Sequence, residues 1–212
     1  MGVQPPNRLS LRLQRATLWL LAACLVGTAL FFYTQTRDQF ELPKQLLLRA
    51  LSSGILGLLL AQKLLDPTTG WRRGPLDLPV LAWAAWLVVG TFSSIAPWVS
   101  WRGEYENFAG SLTQLNYVAI YFAALQTLRN REDALLLLRT LLAAALGAGL
   151  YALMQANHRD LISWAATSVV GDRYFGPLGN PNFLGGLMAM AIPLKLALAL
   201  PCRPRSAISR SR

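Results

Sequence analysis

Apolar residues in this chain come in long blocks separated by short polar breaks, without the regular polar stripe of a helix that has one wet face. The blocks run from Ala16 to Tyr33, Leu46 to Leu65, Leu78 to Phe92, Ser111 to Leu128, Ala134 to Ala156 and Phe183 to Leu200. About 20 apolar residues in helical form reach ~30 Å, the depth of a bilayer's hydrocarbon core. The pattern predicts an all-α, polytopic helical membrane protein with about six transmembrane helices. Helix breakers divide the blocks: Asp66-Pro67, then Gly74-Pro75, and the turn that holds Gly176, Pro177, Gly179 and Pro181. The first block follows Arg8, Arg12 and Arg15 and closes on the bulky Phe31-Phe32-Tyr33. That closure fits a retained membrane helix better than a cleaved leader.

Charge placement orients the blocks, because cytoplasmic segments collect Lys and Arg. With the N-terminus inside, the inner segments hold twelve cations: Arg8, Arg12, Arg15, Lys63, Arg72, Arg73, Arg129, Arg131, Arg203, Arg205, Arg210 and Arg212. The outer segments hold five, Arg37, Lys44, Arg102, Arg159 and Arg173, and Arg49, Arg139 and Lys195 fall within spans. This bias predicts both termini in the cytoplasm. The chain then divides into a basic cytoplasmic N-terminus (1–15), a helical transmembrane domain (16–200) and a cytoplasmic Arg/Ser tail (201–212).

Composition adds what the blocks leave open. Hydrophobic residues make up 54% of the chain against 14% charged, a ratio that points to the membrane. The net charge of +10 lies in short clusters between apolar blocks and not along one polar face, so no nucleic-acid partner is expected. Cys24 lies in an apolar run and Cys202 in the basic tail, so no disulfide is expected. A lone histidine, His158, excludes a multi-histidine zinc site.

The stretch Asp172 to Leu194 concentrates the chemistry. Arg173 precedes a turn broken by glycine and proline, and Asn180-Pro181-Asn182 opens an apolar helix. A guanidinium holds two phosphate oxygens at once and keeps its charge at physiological pH; its plainer role is an interfacial anchor pairing with Asp172 or a lipid phosphate. Asn182 is expected as the N-cap of the helix, whose first amides also attract anions. Arg49, about one turn into its span, is expected to reach the outer surface. His158 is a weak candidate for a general base, with a polar boundary after the fifth span as the alternative. Glu104 and Glu106 flank Tyr105 and read as solvated loop acids. Trp98 and Trp101 read as interfacial anchors, and Asp160 to Val170 as a short surface-lying helix.

Arg173, Gly176 and Gly179-Asn180-Pro181-Asn182, followed by an apolar span reaching Pro193, resemble the segment that opens the core domain of the bacterial O-antigen ligase and polymerase family. Phe92-Ser93 with Pro97, Ser100, Gly103 and Gly110 resemble that family's first outer loop. The resemblance implies a multi-pass protein of the bacterial inner membrane that transfers a glycan from an undecaprenyl diphosphate-linked oligosaccharide donor to a lipid or sugar acceptor on the outer face, with no metal or other cofactor. It places donor binding at Arg173, Gly176, Gly179, Asn180 and Asn182, and the predicted topology brings Arg49 to the same face as a further donor-binding candidate. Family members continue into further helices and a large outer loop carrying an essential histidine, so this chain alone is expected to bind donor without transferring it. The alternative is a non-catalytic membrane protein, such as a lipid-linked glycan transporter or an assembly partner.

Overall fold

The computed structural model describes residues 8–67, 70–105, 108–162 and 173–200. Among these, every regular element is helical: α1 (Arg8–Leu30), α2 (Glu41–Leu65), α3 (Asp77–Phe92), α4 (Pro97–Arg102), α5 (Ser111–Thr127), α6 (Arg131–Ala156) and α7 (Pro181–Ala199), with a single 3-10 turn at Gly176–Leu178. Each of the six apolar blocks forms one long helix, and α4 is an addition inside the expected loop after Phe92. The terminal tail lies outside the described residues, as do Glu106 and most of the proposed surface helix up to Val170.

Four helices, α1, α2, α6 and α7, are long and apolar enough to cross a membrane. The expected count of about six is therefore met in helices but not in span length. At 16 and 17 residues, α3 and α5 rise only ~24–26 Å against a ~30 Å hydrocarbon core. Polar residues also lie within them: Asp77 stands in the first turn of α3, and α5 carries Thr113, Gln114, Asn116 and Gln126. The first helix is also longer than expected, since the basic segment of Arg8, Arg12 and Arg15 is already helical.

α1 lies at the centre, packed against α2, α5 and α6; α3 is attached through α5, and α7 through α6. The core, Leu21, Cys24, Leu48, Ile55, Leu59 and Ala123, sits where α1, α2 and α5 meet. α6 buries alanines at 144, 145, 148 and 152, small enough to let a neighbouring backbone approach closely. Large apolar side chains point outward instead, with Leu64 and Phe92 81% and Trp86 70% exposed. Water would penalise such a surface, and lipid would not.

A polar seam runs between α2 and α5. Thr113 Oγ1 donates to Gln45 Oε1 at 3.1 Å, and deeper along both helices Ser52 Oγ donates to Asn116 Oδ1 at 2.7 Å. Arg49 lies between these two contacts in α2's register.

Candidate functional site

Helix ends meet at one end of the bundle: the finishes of α1 and α6 and the starts of α2, α5 and α7. The start of α2 is held by Asp38, whose Oδ1 accepts the amides of Phe40 and Glu41 at 3.1 and 3.0 Å while Oδ2 accepts that of Leu42 at 3.0 Å. A carboxylate at a helix N-terminus both satisfies orphan amides and meets the positive end of the dipole. This fixes where Glu41, Lys44 and Gln45 emerge.

The turn at Gly176–Asn180 is clamped from three sides. Gly176 has φ +57° and donates its buried amide to Gln155 Oε1 at 2.8 Å, and Gln155 Nε2 donates to Asp160 Oδ2 at 3.0 Å. The ammonium of Lys44, a residue 8% exposed overall, donates to the Pro177 carbonyl at 2.8 Å. Gly179 has φ +76°, and a Cβ there would lie 2.3 Å from Phe40 Cγ. The Phe40 ring is itself packed edge-on to Phe175, with centroids 5.6 Å apart. The two glycines are thus required by left-handed backbone and, at Gly179, by lack of room.

Two hollows flank this turn. One, of about 290 Å³, is the more polar: Glu41, Lys44, Gln45, Thr113, Gln114 and Tyr117 contribute to it beside Leu48 and Ala109. The other, about 380 Å³, is apolar and runs along α7 between Leu25, Ala29, Leu141, Leu187 and Met190. Thr28, Leu178 and Phe183 line both. A polar compartment and an apolar one therefore share a wall beside the turn.

The expected site residues do not all gather here. Gly176, Gly179 and Asn180 form the turn, and Asn182 lines the apolar hollow. Arg173 is exposed just ahead of the turn and lines neither hollow. The cap of α7 is Asn180, whose side chain accepts the Asn182 amide at 2.8 Å, so the expected Asn182 cap is displaced by two residues. Pro181 has no amide, and Phe183 and Leu184 both donate to the Asn180 carbonyl at 3.1 Å. The first amides of α7 are thus already satisfied, which removes the expected backbone anion site. Charge for an anion must come from side chains.

Arg49 is also placed differently. Because α2 starts at Glu41, Arg49 lies eight residues in, ~12 Å along the axis and about two turns deep instead of one. Its Nε and Nη2 are enclosed and find no hydrogen-bond partner. Enclosed guanidinium nitrogens without partners in a membrane helix are costly and commonly mark a functional position.

Lys44 is the residue the sequence reading passed over. It counted as one of five outer cations, with no sign that its ammonium reaches across to the turn 133 residues away. One of its three donors is spent on Pro177, its charge stands 5.7 Å from the Phe40 ring centroid, and the residue lines the 290 Å³ hollow.

His158 takes a structural position. Its amide donates to the Gln155 carbonyl at 3.0 Å and that of Arg159 to Met154 at 3.0 Å, while His158 itself has φ +55°. This pair of bonds closes α6 as a Schellman motif, with histidine where glycine is usual. The first outer-loop resemblance also has a packing reason: Gly103, at φ +87°, and Gly110 face each other so closely that a Cβ on Gly110 would lie 2.2 Å from the Gly103 nitrogen. Glu104 is exposed, and Arg102 stacks on Trp98 at 4.0 Å. Among the described residues, no three His, Cys, Asp or Glu side chains converge as a metal set would. Comparison of the chain with protein families, curated proteins and solved structures finds no match.

Proposed function

We propose that this chain is the N-terminal part of an O-antigen ligase-like glycosyltransferase of the bacterial inner membrane and carries its lipid-linked donor site. The observation that carries the reading is the shared wall of the two hollows: an amphipathic ligand with a charged head and a long apolar tail fits a polar compartment with a cation beside an apolar one that follows a membrane helix. An undecaprenyl diphosphate-linked oligosaccharide has that form. The tail follows α7, the diphosphate lies at the turn beside Lys44, and the exposed Arg173 reaches it from just ahead of the turn. In this orientation the chain has six membrane passes with both ends cytoplasmic, α3 and α5 crossing where the bilayer thins around them, and the turn faces outward.

In the transfer, an acceptor hydroxyl oxygen bonds to the anomeric carbon of the first sugar as that carbon's bond to the diphosphate oxygen breaks. The diphosphate leaves with the electron pair, and cations already in place stabilise the growing charge more than they stabilise the ground state. The acceptor proton passes to a base; the backbone of His158 closes α6 and leaves its imidazole as the weak candidate for that role among the described residues. The acceptor is a lipid or a sugar.

A second reading, a lipid-linked glycan transporter, is favoured by the polar seam of α2 and α5 and the enclosed Arg49. Binding of an undecaprenyl diphosphate analogue to protein in nanodiscs tests the first. Arg173→Ala is expected to weaken it by about 1.5–3 kcal/mol, the worth of one charged hydrogen bond, with Arg173→Lys between. Equal affinities for all three proteins refute the placement.

A further inference from the structure

A third hollow, of about 470 Å³, lies between α6 and α7 away from the turn. Its walls are apolar, with Leu142, Leu146, Met188 and Ile192 among them, yet both Arg139 and Lys195 line it. The two helices run antiparallel, and a Cβ on Gly149 would meet Met188 Cε at 3.4 Å, which sets Gly149 level with Met188. Seven residues further along α7, Lys195 is level with about residue 142 of α6, and Arg139 lies less than one turn beyond. The two cations therefore stand at the same end of the groove. α7 finishes at Ala199, so Lys195 is ~6 Å from the end of its span, and both side chains are exposed. Each is long enough to bring its charge to the headgroup level while its stem lies along the apolar wall.

We infer that this groove is a binding site for an anionic phospholipid of the leaflet at the C-terminal end of α7. One acyl chain lies along Leu142, Leu146 and Ile192, and the headgroup phosphate sits between Arg139 and Lys195. Charge complementarity selects this occupant. A zwitterionic lipid offers the same chains without the net charge, and an apolar helix would leave two cations facing hydrocarbon, a costly arrangement. This site lies on the far half of α7 from the proposed donor turn and does not depend on it.

The test is native mass spectrometry of the full chain released from detergent with phosphatidylglycerol or phosphatidylcholine of identical acyl chains. The wild type is expected to retain one phosphatidylglycerol in preference to phosphatidylcholine. Arg139→Gln and Lys195→Gln each lower that preference about fivefold, and the double variant about 25-fold, since each cation near a membrane surface acts independently on an anionic lipid. Both residues are exposed, so neither change removes a core contact. Ala143→Phe, at an exposed position on the groove wall, is expected to lower retention of both lipids by filling the chain's place. Equal retention of the two lipids by the wild type overturns the inference, as does an unchanged preference in the double variant. So does a lipid-free dimer abolished by Ala143→Phe, which would seat a second copy in the groove.

Discussion

Replacing Gly179 with alanine sets the turn's geometry against one methyl group. Two costs follow from the structure. An L-residue at φ +76° loses about 1–2 kcal/mol relative to glycine. The new Cβ also lies 2.3 Å from Phe40 Cγ, so the ring must move, and its edge-on contact with Phe175 is worth another 0.5–1.5 kcal/mol or about that. Together these give about 2–3 kcal/mol, concentrated where the turn meets α2. The natural comparison is Gly185→Ala six residues on, a helical position with nothing within 4 Å of the added Cβ. There the same methyl is neutral or stabilises by up to about 1 kcal/mol through helix propensity. Hydrogen exchange read by mass spectrometry over residues 173–186 distinguishes them. Gly179→Ala is expected to speed exchange of amides such as Gly176 and Leu184 by about 30- to 150-fold, and Gly185→Ala to leave it unchanged or slower. Equal protection in the two variants would refute the claim that Phe40 and the left-handed backbone together require glycine at this position.

Gln155→Leu should cost about 1–3 kcal/mol in denaturant unfolding, because the buried Gly176 amide loses its acceptor and gains none; an unchanged midpoint would mean that water reaches that amide. His158→Gly should raise stability by about 1 kcal/mol by relieving the left-handed histidine at the end of α6, and loss of stability would show that the imidazole makes a contact worth more than the backbone relief. Reporter fusions after Arg131 and after Arg173 are expected to read cytoplasmic and outer locations respectively, and a cytoplasmic reading after Arg173 would remove the outer-face donor site.

Helix class and helix placement were legible in the chain because they depend on local properties. A block of apolar residues must coil to satisfy its backbone away from water, and prolines and glycines end the coil where they stand. The six blocks could therefore be read off as six helices, and the turn ahead of α7 as a turn. Boundaries were less secure where polar side chains are helical: Glu41 to Gln45 belong to α2, and this alone moves Arg49 from one turn deep to two.

What tertiary structure decided is which distant residues share a place. The reach of Lys44 to Pro177, the fit of Phe40 over Gly179 and the acceptance of the Gly176 amide by Gln155 all join segments far apart in sequence, and no local pattern encodes them. Capping turned on backbone direction, since an asparagine either side of Pro181 satisfies the sequence rule but only Asn180 has the extended conformation that turns its oxygen onto the helix. The polar seam of α2 with α5 was likewise invisible in a list of apolar blocks, because Gln45, Ser52, Thr113 and Asn116 are unremarkable singly and meaningful only when two helices face them toward each other. Local sequence sets the conformation of a segment; the meeting of segments depends on how their surfaces pack, and that is a property of the whole chain.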